Sequence, residues 1–301
     1  MNASGFGFHS TAEEVTATVD LRGKTWLVTG INSGIGKESA RVLALRGARV
    51  IGAARTEAKA RETFAQLGID GIPLACDLSE LASVRAAVNT VHATKIELDG
   101  ILANAGIMAL PELHQAHGVE LQFFTNHVGH FVLTTGLIDR LAPNARVVMV
   151  SSGAHRYAAQ LGLELENLDG ANDYHPWRMY GRSKLANILF AQSLAARFAT
   201  DGLGRTAYSL HPGVIRTNLT RHIDDAETLL GSMATSMKSI EQGAATSLYV
   251  ATQPGLDALS GSYFSDCAPA KTLPQGTDMA LADALWEATV RLVAERSGAE
   301  A

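Results

Sequence analysis

The sequence predicts an α/β fold: a doubly wound parallel sheet in a three-layer α/β/α arrangement, built as a single domain. Three observations predict it. From residue 24 onward, short β-branched runs alternate with longer helical patterns, which gives parallel strands covered by helices on both faces. A glycine-rich turn at residues 29–36 joins the first such run to the first long helix. No repeat, low-complexity tract or Pro/Gly/Ser linker interrupts the chain.

The elements follow in order. Ser10-Thr11-Ala12-Glu13 has the capping-box pattern, so a short helix is expected in an N-terminal extension, residues 1–21, ahead of a domain spanning 22–301. Strands are expected at 26–29, 49–53, 72–76, 100–103, 146–150 and 206–210, with helices at 36–46, 57–66 and 79–93 between the early ones. The longest stretch without a formal charge, 121–138, carries Gln122, Thr125, Asn126, His127 and His130. It is too polar for a bilayer span and is expected to be a buried helix, apolar on more than one side through Phe123, Phe124, Val128, Phe131, Val132 and Leu137.

Composition narrows the partners. The 301 residues are 47% hydrophobic and 18% charged, with 25 basic against 30 acidic side chains and a net charge of −5. That excludes disorder, collagen and a disulfide-rich scaffold, and argues against nucleic acid as the main partner. A chain of this size buries about 75% of its unfolded surface, enough to stand without disulfides or a structural metal. Cys76 and Cys267 are the only cysteines, and the first twenty residues hold Glu13, Glu14 and Asp20 but no basic or apolar leader. A cytoplasmic location without a signal peptide or membrane span is therefore expected.

Chemistry is expected in the strand-to-helix turns, because parallel sheets bind ligands beyond the carboxyl ends of their strands. In the first turn Gly30, Gly34 and Gly36, with Asn32, Ser33 and Ile35 between them, allow a phosphate to approach backbone N–H groups at a helix N-terminus. The spacing differs from G-x-G-x-x-G, but the mechanics are the same; the bland reading is a tight turn that binds nothing. About twenty residues on, a site for NAD would carry Asp or Glu, whereas this chain has Ala53-Ala54-Arg55. A guanidinium there suits a 2′-phosphate, so NADP(H) is expected over NAD(H), with Lys37 a possible second charge; the alternative is an ordinary solvated Arg55. Of six tyrosines only Tyr180 has a lysine at +4, Lys184, which puts both on one helix face. The ammonium is expected to lower the phenol pKa towards general acid/base use, although Y-x-x-x-K alone arises readily by chance.

Taken together these features resemble the short-chain dehydrogenase/reductase family over roughly residues 22–265. The matching motifs are residues 29–36, Asp77, Asn104-Ala105-Gly106, Asn126, Ser151-Ser152, Tyr180 with Lys184, and Pro212-Gly213. The chain most resembles the retinol-dehydrogenase and WW-domain-oxidoreductase-like branch, through residues 126–131, 151–155 and 183–187. The resemblance implies a Rossmann-type fold and an alcohol dehydrogenase or carbonyl reductase working by hydride transfer. Tyr180 would exchange a proton with the substrate oxygen, Ser152 would hydrogen-bond that oxygen, Lys184 would hold the ribose, and Asn126 would hold a relay water. Cofactor contacts would come from the glycine turn, Arg55, Asp77, Leu78, Asn104, Ala105, Gly106, Tyr180, Lys184, Pro212, Gly213, Val214 and Thr217, with no metal. In the family the 123–138 region pairs subunits, so a homodimer or homotetramer is expected.

Ser152 precedes Tyr180 by 28 residues, roughly twice the gap of compact family members. The insertion at about 153–179 contains Tyr157, Leu161, Leu163, Leu165, Tyr174, Trp177 and Met179. It is expected either to wall the pocket for a lipophilic substrate or to serve simple packing over the sheet or subunit contact. A second insertion, 218–240, with Leu229, Leu230, Met233 and Met237, is a candidate lid or an ordinary apolar helix face. The pairs His127/His130 and His114/His117 lack the carboxylates or thiolates of a metal site. Ser151 is an alternative to Ser152. The contrasting reading is a catalytically silent nucleotide-binding or scaffold protein; a sugar-nucleotide epimerase is disfavoured because only about 85 residues follow Thr217.

Overall fold

The computed structural model describes residues 5–159, 162–215 and 237–297. Its main sheet contains β1 (Thr25–Thr29), β2 (Arg49–Ala54), β3 (Ile72–Ala75), β4 (Leu98–Ala103), β5 (Leu141–Val150), β6 (Thr206–His211), β7 (Tyr263–Ser265) and β8 (Ala268–Pro269), in the order β8-β7-β6-β5-β4-β1-β2-β3. All pairings are parallel except β7 with β8. The strand order reverses between β1 and β4, and that is where doubly wound sheets open a ligand crevice.

Alternation along the strands divides the core into two layers. Leu27, Val147, Met149 and Ala207 face the layer covered by α4 (Leu81–Thr94), a segmented α5 and α6 (Pro176–Phe198). Val28, Val148, Val150, Tyr208 and Leu210 face the opposite layer, with α2 (Gly34–Leu45), α3 (Glu57–Leu67) and α7 (Ile240–Thr252). The N-terminal helix α1 (Ala12–Val15) packs on this second layer through Ala12 and Val15. Its capping box is one residue later than expected: Thr11 caps and Glu14 reaches back, because that register turns Ala12 and Val15 inward.

The buried helix expected at 123–138 is not continuous. α5 consists of an α-helical turn Leu121–Phe123, a π-helical segment Phe124–Val128 and a final α-helix Gly129–Thr135. Polar bonds account for the break. Buried Asn126 spends its side chain on Ile107 and Ser183, and His130 bonds the Asn126 carbonyl, so side chains compete for the ordinary helical ladder.

The apolar side chains of α5 are covered by the chain itself. Trp286, on the last helix α8 (Met279–Ser297), packs edge-on against Phe131 at 4.9 Å and tilted against Phe190 at 5.7 Å. Arg197 lies over the same indole at 3.7 Å. No helix among the described residues is long and apolar enough to cross a membrane.

Candidate active site

A cavity of about 940 Å³ runs along the carboxyl ends of the strands. Thr29 of β1, Ala54 of β2, Val150 of β5 and His211 of β6 all line it, so the sheet supplies the floor.

At one end lies the turn from β1 into α2. Gly30 takes φ +73°, and a Cβ on Gly36 would sit 2.3 Å from the Gly30 carbonyl oxygen, so no larger residue fits this turn without moving it. No side chain caps the start of α2, which leaves its first N–H groups to a ligand. Gly30, Asn32, Ser33, Gly34 and Ile35 line the cavity, while Gly36 supports them from behind. Arg55, Asp77 and Leu78 line the same end. Asp77 Oδ1 is held by the Ser79 N–H at 3.0 Å and the Ser79 hydroxyl at 2.6 Å. Lys37 does not join this group: its ammonium donates to Gln66 at 2.7 Å.

The middle is the loop after β4. Asn104 and Ala105 both donate their N–H groups to the Thr29 hydroxyl at 2.9 Å, and the Asn104 amide donates to the Thr29 carbonyl at 3.0 Å. A Cβ on Gly106 would lie 3.1 Å from Asn126 Oδ1, a tight approach, and 3.5 Å from Lys184 Nζ, an ordinary contact, so these two groups close in on the glycine. Asn126 itself sits behind Lys184 and does not line the cavity.

At the far end α6 delivers Tyr180 and Lys184. Both are buried, with Nζ 5.5 Å from the phenol ring centre. Lys184 Nζ donates to the Val150 carbonyl at 3.0 Å, and burial draws its pKa down to about 8. The phenol shifts opposite to expectation. Burial is the larger effect and pushes Tyr180 up to about 12, although the neighbouring Ser152 hydroxyl pulls the other way. Ser151 also lines the cavity, but its hydroxyl donates to the Lys184 carbonyl at 2.7 Å.

Three residues that shape this end were not singled out from the sequence. Gly153 N–H donates to His211 Nδ1 at 3.0 Å, and His155 Nδ1–H donates to the Ser152 carbonyl at 2.7 Å, so two histidines pin the Ser152 turn. Burial draws the His211 pKa down to about 4, which keeps the ring a neutral acceptor. Arg182, fully buried, donates to the carbonyls of Leu163, Glu164 and Asn167 at 2.8–2.9 Å. It thereby ties the long segment before α6 to the helix that carries Tyr180 and Lys184. No local pattern signals such bonds, since their acceptors are backbone atoms 15–19 residues away.

The 153–179 segment both lines the cavity and packs inward. Tyr157 and Trp177 line the cavity beside Met108 and Leu110, while Leu163 packs inward and Tyr174 donates to the Leu110 carbonyl at 2.7 Å. Pro212, Gly213 and Val214 close the wall after β6. Thr217, Leu161, Leu229, Leu230 and Met233 lie outside the described residues. Among the described residues no group of three or more metal-ligating side chains exists. His117 stacks on Phe124 instead, with ring centres 5.0 Å apart.

Comparison with known proteins accords with this geometry. The short chain dehydrogenase family model matches residues 24–163. The chain is 39% identical to short-chain dehydrogenase TIC 32 B, chloroplastic, of Brassica napus, over 96% of this chain and 95% of that one. It is 40% identical to human retinol dehydrogenase 11, over 92% of this chain and 88% of that one. A solved short chain dehydrogenase from Burkholderia cenocepacia, in complex with NADP, superposes with a TM-score of 0.65 at 25% identity, covering 82% and 98% of the two chains. Similarity of this extent, on a sheet whose strand ends gather the glycine turn, Ser152, Tyr180 and Lys184 around one cavity, places the chain in the short-chain dehydrogenase family of oxidoreductases, in its retinol-dehydrogenase-like branch.

Proposed function

We propose that this chain is an NADP(H)-dependent oxidoreductase interconverting an alcohol with its ketone or aldehyde on a lipophilic small molecule. The observation that carries the reading is the cavity itself, with a glycine-lined helix start and Arg55 at one end and Ser152, Tyr180 and Lys184 at the other. Nicotinamide, when bound, supplies or accepts the hydride.

The open α2 N-terminus, Asn32 and Ser33 would hold the pyrophosphate, Arg55 the 2′-phosphate, Asp77 and Leu78 the adenine side, and Asn104–Gly106 with Pro212–Val214 the remainder. Thr217 is proposed for the carboxamide end. Lys184 would orient the ribose and keep positive charge beside the phenol. Ser152, which sits beside Tyr180 and pulls its pKa down, orients the substrate oxygen where negative charge develops. Tyr180 gives its proton to that oxygen on reduction and recovers one through Lys184. Asn126 acts by holding Ile107 and Ser183 in place behind Lys184.

A phenol pushed up to about 12 stays protonated at neutral pH, which favours the reductive direction. Oxidation needs the phenolate and so accelerates as pH rises. Tyr157, Trp177, Met108 and Leu110 give the substrate end an apolar lining, the feature that supports a lipophilic substrate. The test is a carbonyl and alcohol screen followed at the nicotinamide absorbance in both directions, with NADPH and NADH compared. Turnover of apolar carbonyls with NADPH supports the reading. Tight NADPH binding with no turnover across the screen favours a silent nucleotide-binding protein.

A further inference from the structure

His130 takes no part in the scheme above, yet it is fully buried on α5, facing the end of β1. Its Nε2 lies 2.9 Å from the Thr29 hydroxyl and its Nδ1 lies 2.9 Å from the Asn126 carbonyl oxygen.

Proton bookkeeping fixes every role in this chain of bonds. The Thr29 hydroxyl accepts two N–H groups, from Asn104 and Ala105, and so has used both lone pairs. Its one proton therefore goes to His130 Nε2. The ring proton must then sit on Nδ1, where a carbonyl oxygen waits for it. A second ring proton would face a hydroxyl with no lone pair left, in agreement with burial drawing the His130 pKa down to about 4. Lys184 and His127 are the titratable groups that bear on it electrostatically.

The loop from Asn104 to Ile107 is gripped at both ends. Thr29 holds its start, and Asn126 holds Ile107 through both N–H and C=O, at 2.8 and 2.9 Å. His130 joins those two grips. Between them lies Gly106, whose missing side chain leaves the space that Lys184 Nζ and Asn126 Oδ1 approach.

We propose that His130 is a positioning residue for the reaction: its neutral imidazole is a strut that fixes the 104–107 loop against α5 and thereby sets where the loop stands relative to Lys184. The effect on catalysis rests on the proposed oxidoreductase function; the strut itself does not.

The test uses the whole chain with NADPH and the best carbonyl from the screen. His130→Leu fills the space and deletes both bonds. His130→Asn keeps a donor where Nδ1 stood, and Thr29→Val removes the opposite partner while keeping the imidazole. In wild type, ¹⁵N spectra should show His130 as the Nδ1–H tautomer without titration from pH 5 to 9. His130→Leu and Thr29→Val should each lower kcat at saturating substrate by about tenfold, shift the pH profile of kcat, and fail to add in the double variant. His130→Asn should recover most of the loss.

An Nε2–H tautomer overturns the strut. So does kcat within twofold of wild type in His130→Leu with only the melting temperature lowered. Where His130→Leu does not fold, Thr29→Val carries the same test. A wild type without hydride transfer removes the functional reading, and the strut is then judged by the tautomer and by displacement of the Ile107 amide resonance in Thr29→Val.

Discussion

The two ends of the cavity are built by different means. At the cofactor end, Gly30, Arg55 and Asn104 each stand immediately after a strand, and the turn from β1 to α2 is shaped by glycines a few residues apart. At the substrate end, Ser152 is held by His155 and His211, and the segment before Tyr180 is held by Arg182, through bonds spanning up to 58 residues. One end follows from local backbone geometry; the other depends on side chains that reach backbone groups, most of them distant in sequence. Changes at the first should act on cofactor binding, and changes at the second on the substrate.

The sharpest break in the comparison comes from Gly36→Ala. Its Cβ would fall 2.3 Å from the Gly30 carbonyl oxygen and 2.5 Å from the Asn104 amide nitrogen. The expected cost exceeds about 4 kcal/mol in the geometry of the turn. NADPH binding, followed by nicotinamide fluorescence, should fall more than 100-fold. Unchanged affinity would mean that the turn does not contact the cofactor.

Arg182→Gln tests the other end. Three buried carbonyls lose their donor, at about 1–3 kcal/mol each, so melting should drop by several degrees. KM for the carbonyl should rise while NADPH affinity holds within about threefold. Parallel loss of both would erase the distinction between the ends.

Acid should act on the whole site. Burial draws His127 down to about 3 and both His130 and His211 down to about 4. Between roughly pH 4 and 6.5 the unfolded chain therefore binds more protons than the folded one, so stability rises with pH across that window and is lost as pH falls. Each histidine contributes about 2 kcal/mol of destabilisation at pH 5, readable as a falling urea midpoint. A midpoint that is flat from pH 7 to 5 would contradict these environments.

Arg55→Ala is the mildest change, because the residue is exposed at the cavity rim. It should weaken NADPH by about tenfold, the loss of one charge-assisted contact, and leave NADH unchanged. Equal effects on both cofactors would overturn the NADP(H) assignment.

The same contrast explains what the sequence made legible. The parallel strands, the glycine turn, Arg55 and the Tyr180–Lys184 pair follow from spacing, because a strand end or one helical turn places them. Nor does spacing distinguish Ser151 from Ser152; what differs between them is a bond from Ser151 to the α6 backbone. Arg182 and His211 stayed hidden because their partners are backbone atoms brought near by the fold. The rise in the Tyr180 pKa was also hidden: proximity to Lys184 is visible in the sequence, whereas burial is not. His127 and His130, read as a doubtful metal pair, are parts of two separate buried networks, one reaching Thr289 on α8 and one reaching Thr29 on β1.

The covering of α5 makes a related point. Apolar side chains at 123–138 signal burial but do not name what covers them. Here Trp286 on α8 does so.

The central claim is that Tyr180 moves the proton at the substrate end while the cofactor end binds independently. Tyr180→Phe removes one oxygen atom and tests it directly. With NADPH and the best carbonyl, kcat should fall by about 100- to 10,000-fold, the range for loss of a general acid, while the NADPH Kd stays within threefold of wild type. A variant retaining most of the wild-type hydride transfer would contradict the account.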